Sequence, residues 1–314
     1  MRNIIFLAVL AISLSFEMNG AFAQQLPQFS QYLINDYVIN PAIAGSHKYF
    51  EAKTNHRYQW VGVTDAPRTY IFSVNGPIYK SMGVGGYVYT DITGPTRRTG
   101  GQLSYTYHFK ISEKIKLGFG TSLGVLQFAI DGAKITGKEI GDLALSSGVQ
   151  SVTVADATAG FHLYSDKWYF SASAPQLLRN NIQFFTEYKN NLSRLVNHYF
   201  IMGGYKYNIN ESITLAPSCL IKYVSPVPVQ FEPTLRVIYK DQVWVAGSYR
   251  TQDAISACVG YTFQQNITFG YSYDLTMTNM KKYSSGTHEV MLGIRFKARK
   301  SSAAAKPVTP APEN

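Results

Sequence analysis

Apolar and polar side chains alternate with a period of two along most of the chain. From Ile267 to Met277 every second residue is apolar or aromatic, and the residues between them are small or polar. Residues 102–109 and 115–125 show the same alternation. Because successive side chains of a β-strand point to opposite faces, this pattern predicts strands with one apolar face and one polar face.

Many of these runs are about ten residues long, which is enough to cross a bilayer at a tilt, whereas soluble strands are nearer five or six residues. We therefore expect an all-β fold, a transmembrane up-and-down antiparallel β-barrel of about 14 strands, and regard a soluble β-sandwich as the alternative. The predicted strands are 50–61, 68–75, 82–91, 99–109, 115–128, 152–163, 168–175, 196–207, 211–222, 230–239, 241–250, 254–263, 266–277 and 287–297.

The connections predict which end of the barrel faces the periplasm. Short polar turns alternate with longer segments, and short turns are typical of the periplasmic end of bacterial barrels. The longer segments, which we expect to be outer loops, are 91–99, 131–150, 176–195, 223–230 and 278–287.

The two ends of the chain differ from the part between them. Arg2, an apolar run over residues 4–16 and the Ala21-Phe22-Ala23 site predict a cleaved signal peptide over residues 1–23. Residues 24–46 then form a separate N-terminal segment, and residues 47–298 form the barrel. We expect the Ser-, Ala- and Pro-rich tail 299–314 to be disordered.

Composition and charge narrow the function. The chain has 23 Tyr and 18 Phe but only 15% charged residues, which suits a lipid-facing barrel with aromatic belts. The net charge of +10 is spread without a dense basic run, so we expect no nucleic-acid partner. Cys219 and Cys258 favour free thiols over a single disulfide, and we expect no metal site and no cofactor.

Candidate catalytic residues do not form a recognisable constellation. Ser104 and His108 share one strand face, but it is the polar face that would line the lumen. A barrel hydrolase that acts on lipids needs its serine and histidine toward the bilayer, so we predict a protein that is not an enzyme. The glycines of residues 83–86 are interpreted as relieving crowding or permitting a bend in a strand.

Charged residues on the polar faces suggest a cluster inside the barrel. By the alternation, Arg57, Arg250, Asp274 and Glu289 point inward, and up-and-down threading places all four in the outer half. Closure of the barrel would also set the first strand beside the last. We hypothesise a lumenal charge cluster that holds a plug or receives an extended peptide; the alternative is that each charge is solvated separately.

Several motifs, spaced in order along the mature chain, resemble one known family. The chain is similar to the PorP/SprF family of Bacteroidota outer-membrane proteins, which are associated with the type IX secretion system. The matching motifs are Pro27-Gln28-Phe29-Ser30-Gln31-Tyr32, Asn40-Pro41-Ala42 with Ala44-Gly45, Arg57-x-Gln59-Trp60-x-Gly62, Ala66-Pro67-Arg68-Thr69, Gly270-Tyr271-Ser272-Tyr273-Asp274 and Gly286-Thr287-His288-Glu289-Val290-Met291-Leu292-Gly293. Two mild departures are Thr287, where the family usually has Ser, and the region near Ile43, where an aromatic is common.

The resemblance implies a function in the cell outer membrane. Its expected partners are outer-membrane lipid, other type IX secretion components and a large secreted, adhesin-like surface protein, such as one used in gliding. Phe29, Tyr32, Asn40 and Pro41 lie in the N-terminal segment, which could plug the lumen, line the periplasmic mouth, bind a partner or serve only as a lead-in strap. The alternative function is a porin or a solute transporter.

Overall fold

The computed structural model describes residues 26–135, 148–184 and 194–297, and in them fourteen antiparallel strands close into a barrel. The strands are β1 (Tyr49–Tyr58), β2 (Arg68–Tyr79), β3 (Met82–Thr93), β4 (Thr96–Lys110), β5 (Lys116–Asp131), β6 (Val149–Tyr164), β7 (Trp168–Ala174), β8 (Tyr199–Tyr205 with Tyr207–Asn208), β9 (Ile213–Val224), β10 (Val227–Tyr239), β11 (Val243–Arg250), β12 (Ala254–Phe263), β13 (Ile267–Thr276) and β14 (Thr287–Lys297). Short 3-10 helices lie at Asp36–Val38, Pro41–Ile43, Gly132–Lys134 and Asn279–Lys282.

The barrel closes between its first and last strands, as expected from the sequence. β1 pairs with β14 from Tyr49 opposite Lys297 to Tyr58 opposite His288. Every other strand pairs with its neighbours in sequence, and β8 is interrupted at Lys206 before it continues along β9. The predicted all-β fold, its antiparallel up-and-down order and its fourteen strands are confirmed.

Apolar side chains cover the outside of this barrel. Leu103 on β4 and Leu123 on β5 are 77% and 70% exposed, while Ser104 and Ser122 beside them are buried on the lumenal side. The same division between an outer apolar face and an inner polar face recurs on β12 and β13. This arrangement places hydrocarbon side chains against lipid and polar ones in the lumen.

The two ends of the barrel differ in their connections. Short turns of two to five residues lie at the end that also holds the start of β1 and the end of β14, which is therefore the periplasmic end. Two predicted outer loops are wrong, because the strands extend beyond the expected limits: β3 and β4 meet at a turn over residues 94–95, and β9 and β10 meet over residues 225–226. Arg97 and Arg98 interrupt the apolar alternation of β4 at the first of these turns, and Pro226 and Pro228 interrupt it at the second, so the strand ends were not predicted.

Trp60 falls within the predicted first strand, 50–61, but lies outside the observed one. β1 ends at Tyr58, and Trp60 follows in a turn with a φ of 51°. That turn brings the indole to the inner side, where it lines a cavity at the outer end of the lumen.

Residues 26–46, which we call the lumenal segment, run through the interior of the barrel. Gln28 contacts Gln230 near the outer start of β10, Tyr37 contacts Ser104 halfway along β4, and Gly45 packs on Gly83 near the periplasmic start of β3. The chain therefore descends from the outer half of the lumen to the periplasmic rim, where it turns into β1.

Several predictions fall outside the described residues. They are the signal peptide 1–23, the tail 299–314 and parts of the outer loops at 136–147 and 185–193. Within the described ranges no helix is long and apolar enough to cross a bilayer.

The lipid-facing assignment predicts a large cost for a charge on the outer face. Leu123→Arg would place a guanidinium on the lipid side of mid-β5, where we expect a loss of about 2–4 kcal/mol in the free energy of unfolding. Denaturant unfolding from lipid vesicles measures it. The matched control is Ile111→Arg in an exposed periplasmic turn, which should change little; equal losses in both variants would contradict the assignment.

Candidate functional site: the lumenal segment and its buried charges

Ser30 binds the outer end of the lumenal segment to the barrel wall. Its hydroxyl lies 2.6 Å from Asp274 Oδ2 and donates to that carboxylate. The same oxygen accepts from Arg57 Nη1 at 2.8 Å and from Arg250 Nη2 at 3.1 Å. The backbone N–H of Ser30 donates to Glu289 Oε2 at 2.8 Å. One serine thus contacts the four side chains that the sequence analysis selected as a charge cluster.

Two arginines and their carboxylates form what we call the lumenal charge cluster: Arg57, Arg250, Glu232, Asp274 and Glu289. Arg57 pairs with Asp274 at 2.8 Å and with Glu289 at 3.1 Å. Arg250 binds Glu232 in a bidentate manner, with both distances at 2.9 Å, and lies 3.4 Å from Asp274. All five side chains are almost completely buried. Buried charges of this kind need such pairing, because an isolated one costs several kcal/mol.

Glu232 is the member of the cluster that the sequence analysis missed. It is fully buried and takes part in the shortest contacts of Arg250. Its strand was correctly predicted, and the alternation of β10 puts Glu232, Thr234 and Arg236 on the inner face. The signal was therefore present, but the alternation alone does not fix the register of the β10–β11 pair, which sets Glu232 at the level of Arg250.

The middle and lower parts of the lumenal segment form hydrogen bonds with polar groups of the barrel wall. The Tyr32 hydroxyl lies 3.1 Å from Thr234 Oγ1, and the Tyr37 hydroxyl lies 2.7 Å from Ser104 Oγ. Asn40 donates to two wall carbonyls, at 2.9 and 3.2 Å, and accepts from the N–H of Ala42 at 2.9 Å. The Pro41 carbonyl accepts from a wall threonine. The lumenal segment is thus bonded to the wall at several levels.

Burial changes the acidity of two tyrosines in the lumenal segment. Removal from water raises the pKa of Tyr37 to about 12, against a smaller opposing effect of its bond to Ser104. Burial also raises the pKa of Tyr32, and the nearby charge of Glu232 adds to this. Both hydroxyls stay protonated at neutral pH and remain hydrogen-bond donors.

An apolar cluster adds to these contacts on one side of the lumenal segment. Tyr32, Ile39 and Ile43 pack against Met202 of β8 and Leu220 of β9, and all five are buried. Burying such side chains is worth about 1.5–3 kcal/mol each. The lumenal segment is therefore held by hydrophobic packing as well as by its polar bonds.

Glycines of the wall make room for the lumenal segment. A Cβ atom at Gly120 would lie 2.4 Å from the backbone nitrogen of Ala42, and one at Gly83 would lie 2.0 Å from the Ala44 carbonyl oxygen. A Cβ at Gly160 would lie 2.2 Å from the Asn40 side chain. The glycines of residues 83–86, which were predicted to relieve crowding or permit a bend, include Gly83 at this close approach.

Phe29 and Pro41 line a cavity of about 420 Å³ that extends from the outer end of the lumen down to the level of Pro41. Phe29 lies at the outer end of the lumenal segment, together with Leu26 and Pro27, which also line the cavity. Of the four residues predicted to plug the lumen or bind a partner, Tyr32 and Asn40 are fully buried against the wall, whereas Phe29 is partly exposed to the cavity.

The remaining candidate residues have structural contacts. His108 Nε2 donates to the carbonyl of Ala44, so His108 faces the lumen as expected. Cys219 and Cys258 are free thiols. No group of metal-ligating side chains occurs among the residues that the structure describes.

Comparison with known proteins assigns the family. A model described as type IX secretion system membrane protein PorP/SprF matches residues 21–294. The chain belongs to the PorP/SprF family. The match covers the lumenal segment and nearly all of the barrel, and it agrees with the resemblance drawn from the spaced motifs. Family and fold are those of a secretion membrane barrel, and the protein is placed in the cell outer membrane.

Two solved structures are similar to the chain at very low sequence identity. The chain is similar to the CymD monoaromatic hydrocarbon channel, with 10% identity, a TM-score of 0.49, and coverage of 87% of this chain and 94% of that one. It is also similar to the Acinetobacter baumannii outer membrane protein Omp33, with 8% identity, a TM-score of 0.46, and coverage of 80% and 98%. A search of curated proteins gives no match.

Proposed function

We propose that this outer-membrane barrel supports the secretion or surface attachment of a large adhesin-like protein, for example one used in gliding, as part of the type IX secretion system. In this role the barrel docks its cargo or another secretion component, and the lumenal segment acts as a plug. The barrel itself carries out no chemical reaction.

The observation that carries the proposal is the occupied lumen of a barrel from a secretion family. The lumenal segment is bound at its outer end by the lumenal charge cluster and at its lower end by close contacts with wall glycines. A porin needs a water-filled passage, which this packing opposes. A docking protein needs a fixed surface at its outer end, and the bound lumenal segment supplies part of one.

The test is affinity purification of the tagged full-length protein from native membranes in mild detergent. We expect it to retain a large secreted surface protein, other type IX secretion components, or both. The matched control is a second tagged outer-membrane barrel from the same cells, which removes proteins that bind any barrel. Retained proteins are then identified by mass spectrometry.

Two results would contradict the proposal. One is the absence of any specific partner together with a normal set of surface proteins in cells that lack the gene. The other is rapid uptake of small solutes by liposomes that contain the wild-type protein, which would favour a porin or solute transporter. Both measurements use the intact chain.

A further inference from the structure

The outer cavity contains a carboxylate that the lumenal charge cluster does not use. Asp156 of β6 lines the cavity of about 420 Å³, together with Gln102 of β4. Trp60 and turn residues 251–253 also line the cavity, so it opens at the outer mouth, while Asp156 and Gln102 lie near the middle of their strands. Its volume is in the range of small-ligand sites.

A hydrogen-bond network fixes the position of Asp156. Gln102 Nε2 donates to Asp156 Oδ2 at 2.7 Å. The hydroxyls of Ser122 and Thr158 both donate to Gln102 Oε1, and this sets the direction of the Gln102 amide. The N–H of Ala157 donates to Asp156 Oδ1 at 2.8 Å. The carboxylate is therefore held in place, although it still has lone pairs free to accept further bonds.

Asp156 has no cationic partner in the described part of the chain. No lysine, arginine or histidine nitrogen there lies within 4.0 Å of its oxygens, whereas Glu232, Asp274 and Glu289 each meet an arginine. Its side chain is nonetheless only 7% exposed. A buried carboxylate without a counter-charge is costly, and a bound cation would offset that cost.

Aromatic rings lie beside this carboxylate. Tyr87 and Tyr89 line the same cavity, and their ring centroids are 6.3 Å apart. Tyr87 lies opposite Gln102 in the pairing of β3 with β4, and Gln102 donates to Asp156, so the ring is on the same stretch of wall as the carboxylate. Tyr37 of the lumenal segment meets Tyr87 edge to face at 6.3 Å. A carboxylate flanked by aromatic faces is a favourable environment for an ammonium or guanidinium group.

We propose that Asp156, Tyr87 and Tyr89 bind the lysine or arginine side chain of an extended peptide that enters the outer mouth. This rests on the proposed function, since the peptide would belong to the docked protein. The rest of the cavity suits a peptide: Gln59, Gln230 and Gln252 offer amides to its main chain, and Phe29 and Trp60 offer apolar contact to its neighbouring side chains.

The direct test uses the peptide acetyl-Gly-Phe-Lys-Phe-Gly-amide and its norleucine counterpart, with calorimetry on the full-length protein in detergent. We expect the lysine peptide to bind about 10- to 100-fold more tightly, the range expected for a hydrogen bond to a charged group. Asp156→Asn should reduce its binding to the level of the norleucine peptide. The matched control Asp166→Asn, in an exposed periplasmic turn, should leave the preference unchanged.

Equal binding of the two peptides to the wild-type protein would by itself overturn the inference.

Affinity purification with Asp156→Asn separates this inference from the proposed function. Loss of the partner only in Asp156→Asn supports both. Equal capture of the partner by wild type and variant would overturn the role of Asp156 but leave the docking proposal intact. Capture by neither protein would contradict docking, and the preference for the lysine peptide could still be measured.

Discussion

Replacement of Arg250 by methionine should lower the free energy of unfolding by about 3–5 kcal/mol, which is the usual cost of breaking a buried ion pair from one side. Arg250 is fully buried and supplies both short contacts to Glu232. Without it, the nearest cation to Glu232 among the described residues is Lys222 at 4.0 Å. Methionine keeps much of the side-chain volume, so the loss reports on charge pairing rather than on a cavity.

Denaturant unfolding from lipid vesicles provides the measurement, with Arg68→Met as the matched control. Arg68 is exposed at the outer rim, where it contacts Tyr58, so its loss should cost well under 1 kcal/mol. A small loss for Arg250→Met would mean that water or another group neutralises Glu232. In that case the lumenal charge cluster would not hold the lumenal segment.

The barrel could be predicted because its physical cause is periodic. Each strand must present apolar side chains to lipid and small or polar ones to the lumen, and this constraint acts on every second residue. The ends of the strands lie outside the bilayer, where that constraint is absent. This is why β3 continues to Thr93 and β4 already begins at Thr96, before Arg97 and Arg98, so that a turn at residues 94–95 replaces the expected loop.

The inner face of the barrel was predictable only in part. Alternation places Arg57 and Glu289 inside, and closure of β1 on β14 sets them directly opposite each other. It does not show that Ser30, remote in sequence, sits between the charges. Glu232 was missed for the same reason, because its partnership with Arg250 depends on the register of β10 and β11.

The path of the lumenal segment has no periodic signature at all. Its residues satisfy their backbone groups through 3-10 turns and wall side chains, so no repeat marks them. The sequence of the barrel wall instead carries a weak signal of where the lumenal segment lies. Gly118, Gly120 and Gly124 occupy the inner face of β5, and a Cβ at Gly118 or Gly120 would meet the backbone of Ala42. Small residues on an inner face therefore indicate where another segment approaches.

That close approach gives the second prediction, that Gly120→Val opens the lumen. The new side chain would meet the backbone of Pro41 and Ala42 at 2.4–2.6 Å, and backbone cannot yield as a flexible side chain would. We expect the lumenal segment to leave its place while the strands persist. Barrels of this size then enclose a water-filled channel, so planar bilayers should show ion conductance for Gly120→Val and a closed wild-type protein.

The matched control is Gly247→Val, because a Cβ at Gly247 meets nothing within 4 Å. Gly247→Val adds the same side chain to the barrel wall without a clash with the lumenal segment, so we expect the barrel to stay closed. If Gly120→Val fails to fold, Gly83→Ala provides an equivalent test nearer the periplasmic end, where the added Cβ would meet the Ala44 carbonyl oxygen.

Equal conductance in the wild-type protein and in Gly120→Val would mean that the lumenal segment does not close the barrel. That result would support a porin. A closed Gly120→Val barrel, with its lumenal segment still resistant to protease, would instead mean that the wall yields to the added side chain.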